Sequence, residues 1–134
     1  MFIQEAGDDD EYGWSLYVDN KLIGWWPSSL FTNLASVANR LDLGGEVTFK
    51  STPPGTPFMK TQMGSGHFPS EGFGRAAIIR DIQIFNGEQT PIDDITPILF
   101  RGRPNCYDVS LNNDNGEAYI YYGGPGGNDL ECVV

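Results

Sequence analysis

The sequence predicts a mostly β domain, and three observations carry that prediction. Seventeen glycines and nine prolines in 134 residues supply many turns and leave little room for a helical bundle. Apolar residues make up 40 % and aromatics 13 % of the chain, enough to bury a core and too much for a disordered segment. Apolar and polar residues alternate in several short runs bounded by Gly, Asn, Asp and Pro. The length fits one domain, spanning residues 1–134.

The elements follow in order. Asp8-Asp9-Asp10-Glu11 reads as a solvated charge run, since carboxylates adjacent in sequence seldom converge on one cation. Gly13–Val18 and Lys21–Trp26 read as two strands joined at Asp19-Asn20, a tight hairpin signal. One amphipathic helix is expected near 28–42. There Leu30, Phe31, Leu34, Val37, Ala38 and Leu41 recur at three- and four-residue spacing, Pro27-Ser28-Ser29 offers a start and Gly44 a stop. Gly45–Lys50 returns to strand character, Ser51–Pro57 is a loop, and Arg75–Phe85 reads as a long β run. Tyr107–Leu111 and Glu117–Tyr122 flank Asn112–Gly116 as a closing hairpin, followed by an irregular Gly123–Gly127 tail.

Charge and composition narrow the function. Eighteen acidic against eight basic residues give −10, which argues against nucleic acid or an anionic membrane as partner. No apolar stretch approaches the length of a membrane span. The opening Met1-Phe2-Ile3-Gln4-Glu5 lacks the basic and apolar regions of a signal peptide. Cys106 and Cys132 are placed so that a disulfide would tie down the chain end, although buried free cysteines are also common. A disulfide would imply an oxidising compartment.

Candidate catalytic groups are few. With a single histidine, serine or cysteine chemistry would depend on His67, and no third group identifies itself as its orienter. His67 reads as a structural or substrate-contacting residue. One histidine and two cysteines are too few for a zinc site, and the glycine-rich Met63–Pro69 lacks the lysine of a phosphate loop. Neither a metal nor another cofactor is expected. Carboxylates remain. Glu46 follows Gly44-Gly45, and Glu71 lies among glycines and aromatics. In a cleft, desolvation would raise such a carboxyl's pKa toward the general-acid range, whereas composition alone reads either glutamate as a solvated surface residue.

Five stretches then become recognisable together: Gly24-Trp25-Trp26-Pro27-Ser28-Ser29-Leu30-Phe31, Gly44-Gly45-Glu46-Val47, Met63-Gly64-Ser65-Gly66-His67-Phe68-Pro69, Glu71-Gly72-Phe73, and Tyr121-Tyr122-Gly123-Gly124-Pro125-Gly126-Gly127. In this order the chain resembles the C-terminal half of a neprosin catalytic domain. The resemblance implies a secreted plant glutamic endopeptidase of β-sandwich fold that cleaves after proline in acid. Two glutamates would share the work there, one protonated and one ionised, as close like charges require. Gly-Gly-Glu-Val makes Glu46 the catalytic candidate. Trp25, Trp26, His67, Glu71 and Tyr121 become candidates for substrate contact.

Two departures accompany the resemblance: Leu43 stands where the family usually has Trp, and Trp25 where it has Tyr. The family's second glutamate lies well upstream, in a Glu-Ala-Gly-Trp setting. Glu5-Ala6-Gly7 is similar only superficially, so the chain alone is expected to be inactive. Half a sandwich would leave open edges, so self-association or pairing with an N-terminal half is expected alongside a peptide substrate, Pro-rich in the family. The alternative is a non-catalytic module whose aromatics bind a Pro-rich peptide or a cell-wall polymer.

Overall fold

The computed structural model describes residues 2–6, 11–48, 61–86, 88, 90–92, 96–114 and 117–127. The chain forms two compact units, residues 1–42 with 85–91 and residues 43–84 with 92–134. Each unit holds one small antiparallel sheet. Among the described residues, no helix is long and apolar enough to cross a membrane.

In the first unit, β1 (Phe2–Ala6), β2 (Tyr12–Val18) and β3 (Lys21–Pro27) lie in the order β1-β2-β3. The β2–β3 hairpin forms where the sequence places it, with Val18 opposite Lys21. Asp19 and Asn20 both take positive φ, 49° and 59°, the conformation that matches a two-residue turn to the right-handed twist of its strands. Asp and Asn tolerate that region better than other side chains. Gly13 is required in β2 for a different reason: a Cβ there would stand 2.6 Å from the Trp25 indole nitrogen.

The expected helix over 28–42 is absent. A 3₁₀ turn spans Ser28–Leu30 and ends at Phe31, which is extended at φ −114°, ψ 149°. The next carbonyls that a helix would pair with backbone amides are taken by side chains instead. Trp14 Nε1 donates to the Leu34 carbonyl at 2.7 Å, and Gln4 Nε2 donates to the Ser36 carbonyl at 2.6 Å. Ser28, Ser29, Thr32, Asn33, Ser36 and Asn39 add weak helix formers whose side chains compete for backbone bonds. Leu30, Leu34, Val37 and Leu41 remain exposed, so the apolar stripe buries nothing that would offset that weakness.

In the second unit, β4 (Ala77–Ile79), β5 (Asp108–Asp114) and β6 (Glu117–Gly123) lie in the order β4-β6-β5. The closing hairpin is therefore present, with Leu111 opposite Ile120 and Asp114 opposite Glu117. The long run expected over 75–85 shortens to three paired residues, because Asp81 turns to φ 56° and takes the chain off the sheet. Of the strand expected over 45–50, residues 45–48 pair with no strand among the described residues, and 49 and 50 lie outside them. The Ser51–Pro57 loop and most of the Asp8–Glu11 run lie outside the described residues.

The core of this unit is small. Cys106 and Tyr107 are buried, with Val47 and Met63 packed against them, and the Tyr107 hydroxyl donates to the Thr61 carbonyl at 2.7 Å. Ile120, Ala76 and Pro69 are also buried.

Candidate functional site

Glu46 is placed by its neighbours. A Cβ on Gly45 would stand 2.6 Å from Met63 Cγ and 2.9 Å from the Tyr122 ring, so the backbone passes directly against both. Two residues on, Val47 packs onto the Cys106–Tyr107 core. Between these two inward contacts Glu46 is exposed, which fits an extended chain that sends alternate residues to opposite sides.

The glycine-rich stretches at 63–69 and 121–127 meet at Met63. Met63 N–H donates to the Gly124 carbonyl at 3.0 Å, and the Met63 carbonyl accepts from Gly66 N–H at 3.0 Å and Gly124 N–H at 3.2 Å. Gly64 and Gly66 take φ 62° and 80°. A Cβ on Gly123 would stand 2.8 Å from the carbonyl oxygens of both Met63 and His67. The three segments carrying Glu46, His67 and Tyr122 are thus fastened to one another through Met63.

His67 and Glu71 are brought together by a 3₁₀ turn over Pro69–Glu71. Phe68 N–H donates to Glu71 Oε1 at 3.0 Å, while Glu71 N–H donates to the Phe68 carbonyl at 3.0 Å. This reciprocal pair is the logic of a capping box. The other carboxylate oxygen, Oε2, lies 2.9 Å from His67 Nδ1 and 3.3 Å from Arg75 Nε.

The chemical consequence is opposite to the expected one. The Phe68 N–H is the main influence holding the Glu71 carboxyl below its ordinary value of 4.5, aided by His67 and Arg75 and only partly opposed by desolvation. Glu71 is thus held ionised, and its first task is to cap the turn and orient the imidazole. A depressed carboxyl pKa adds stability that is present above the ordinary value and lost as pH falls through the lowered one. Glu71→Gln is therefore expected to flatten the decline of the melting temperature between about pH 5 and pH 3. Parallel declines for the two proteins would refute the assignment.

The remaining candidates are placed elsewhere. Trp25 and Trp26 lie on β3 of the first unit. The Trp25 indole covers Gly13 and its nitrogen is buried, so its main role is packing. Trp26, opposite Trp14, is exposed. Tyr121 stands opposite Ile78, its ring 5.4 Å from that of Tyr119 in an edge-to-face pair. Both tyrosines line an open groove of about 470 Å³ with Phe73, Ile78, Asp81 and Glu117 among its walls. Tyr122, one residue on, faces Gly45 instead. The groove was readable only as alternation, which puts Glu117, Tyr119 and Tyr121 on one face of β6.

Among the described residues, no group of three His, Cys, Asp or Glu side chains could hold a metal ion. Cys106 is fully buried and is not a free thiol. Cys132 lies outside the described residues.

Fold and site together define a β-rich domain that presents carboxylates from glycine-hinged segments laid against a small sheet unit. Comparison with known families gives this class its place. The Neprosin family matches residues 3–125, and the chain belongs to that family, which makes it a neprosin-like peptidase at family level.

Proposed function

We propose that the chain is part of a neprosin-type glutamic endopeptidase that cleaves after proline in acid, with Glu46 as one of two catalytic carboxylates. The observation that carries this reading is the family match across Gly44-Gly45-Glu46-Val47, joined to the close backbone approach of Gly45 that fixes where Glu46 emerges. Glu46 and a second glutamate would split their protonation. The ionised one activates a water; the protonated one supplies the proton to the scissile carbonyl or the leaving amine. Glu71 is poorly suited to be the protonated partner, because its hydrogen bonds favour the charged form. We therefore assign the second carboxylate to the N-terminal half of the domain. The β-sandwich is the fold of the whole domain, which that half would complete, and these 134 residues alone are inactive.

The test is hydrolysis of a proline-containing fluorogenic peptide at about pH 3 and pH 7. The chain is assayed alone and after co-expression with the N-terminal half of a neprosin domain. Expected is no turnover alone and acid turnover in the pair, lost in Glu46→Gln. Reconstituted turnover that survives Glu46→Gln would overturn the role of Glu46. Turnover by the chain alone would overturn its inactivity.

A non-catalytic module binding a Pro-rich peptide or cell-wall polymer is the second reading, favoured by the exposed Trp26 and the open tyrosine groove. It requires that Glu46→Gln leave such binding unchanged.

Secretion goes with the peptidase reading, and with it a Cys106–Cys132 disulfide, supported by the complete burial of Cys106 and the absence of a free thiol there. A cross-link closing a loop of this length contributes about 3 kcal/mol. Cys106→Ser is expected to lower the unfolding free energy by about that amount in a denaturant titration without reductant. An unchanged midpoint would count against the bond.

A further inference from the structure

The groove along β4 and β6, on the Tyr119 and Tyr121 face, is separate from the Glu46 segment, which lies on the Tyr122 side of β6. It combines three features. The Tyr119–Tyr121 edge-to-face pair, with ring centroids 5.4 Å apart, presents aromatic surface to an open space of about 470 Å³, and Phe73 adds a third ring. The single basic side chain in its wall, Arg80, lies 3.4 Å from the Asp81 carboxylate, an exposed pair that adds no net charge to the groove. Glu117 is left as an exposed carboxylate at one end, without an ion pair among the described residues.

A ligand that brings a positive charge suits both the aromatic rings and the carboxylate. A cation over tyrosine faces is attracted by the ring quadrupole, and beside Glu117 it would meet an exposed carboxylate. The protein's net charge of −10 steers cations toward the surface. We propose that this groove is a binding site for a lysine or arginine side chain of a basic peptide, seated on Tyr119 and Tyr121 with its charge toward Glu117. The aliphatic stem of such a side chain has Ile78 and Phe73 to lie against, which suits long basic residues better than a small ammonium ion.

The test reads binding apart from cleavage, because its probe holds no proline. The peptide acetyl-Gly-Ser-Gly-Lys-Gly-Ser-amide is titrated into the labelled chain at low ionic strength and followed by NMR, beside the same peptide with its lysine acetylated. Expected are shifts confined to the neighbourhood of Phe73, Ile78, Glu117, Tyr119 and Tyr121 with the lysine peptide, and none with the acetylated one. Tyr121→Leu and Glu117→Gln should each weaken binding about threefold, the size of one exposed cation–aromatic or charge contact. Tyr121→Phe, which keeps the ring, should restore it and shows that loss in the leucine variant is not misfolding. Glu88→Gln, which removes an exposed carboxylate of the first unit, should change nothing. Equal binding of the acetylated peptide, equal weakening by Glu88→Gln, shifts centred elsewhere, or no binding at all would each overturn the proposal.

Discussion

Replacing Gly124 by alanine is expected to unfold the second unit, lowering the melting temperature by more than about 10 °C. Gly124 is buried at the end of the β6 segment, and an added Cβ would collide with the Cys106 carbonyl oxygen and stand 3.0 Å from Tyr107 Cα. Both obstacles are backbone of the core loop, so neither can swing aside as a side-chain tip would. Relief requires Gly124 to move off Met63, which breaks the pair of backbone bonds between them. Overpacking together with lost buried bonds costs about 3–5 kcal/mol, a large share of the total stability of a small domain. Gly72→Ala is the matched control. Gly72 also has positive φ, at 71° with ψ −161°, but nothing lies within 4 Å of its Cβ position, so only the backbone penalty of about 1–3 kcal/mol applies. Equal melting temperatures for the two variants would mean that the Gly124 contact does not hold the unit together.

The second large effect is kinetic. In the reconstituted enzyme, Glu46→Gln is expected to lower kcat about 1,000-fold, the scale on which a positioned acid–base group contributes. An amide of the same shape neither accepts nor delivers the proton, while Glu46 is exposed and anchors no part of the fold. KM and melting temperature should therefore stay near their original values. Glu71→Gln should show the reverse pattern, with the melting temperature altered and a smaller loss of kcat, because Glu71 is committed to the Phe68 amide and His67. If Glu71→Gln proved the more damaging to kcat with stability intact, the catalytic role would pass from Glu46 to Glu71.

What the sequence makes legible is what local chemistry decides. Both hairpins form in the expected stretches, with β2 and β3 bounded within a residue of expectation, but β5 runs on through Asn112–Asp114, which read as turn. Asp19-Asn20 specifies its turn through two residues that accept positive φ. β1 is not legible, because Phe2–Ala6 becomes a strand by adding its edge to β2 and its own pattern is too short to announce it. The 28–42 periodicity misleads for the converse reason. Its apolar stripe is real, but Trp14 and Gln4, distant in sequence, claim the carbonyls that helical bonds would need.

The site divides in the same way. Gly44-Gly45-Glu46-Val47, Met63–Pro69 and Tyr121–Gly127 each stand out in the sequence. Their meeting at Met63 depends on the path of the intervening chain, which no local pattern encodes. The direction in which the Glu71 carboxyl shifts was misjudged because its surroundings suggest burial, whereas a single capping amide decides the outcome.

The Met63–Gly124 bridge has a consequence for the order in which the molecule assembles. Its partners lie about sixty positions apart, so closing that loop carries a chain-entropy cost that the local β2–β3 and β5–β6 hairpins avoid. Both hairpins can form on a microsecond scale, whereas Met63 can dock only after β6 exists to receive it. Gly45 rests on Met63, so the seat of Glu46 is completed among the last events of folding. A folding chain would accordingly hold its two local hairpins before it holds its candidate catalytic carboxylate in place.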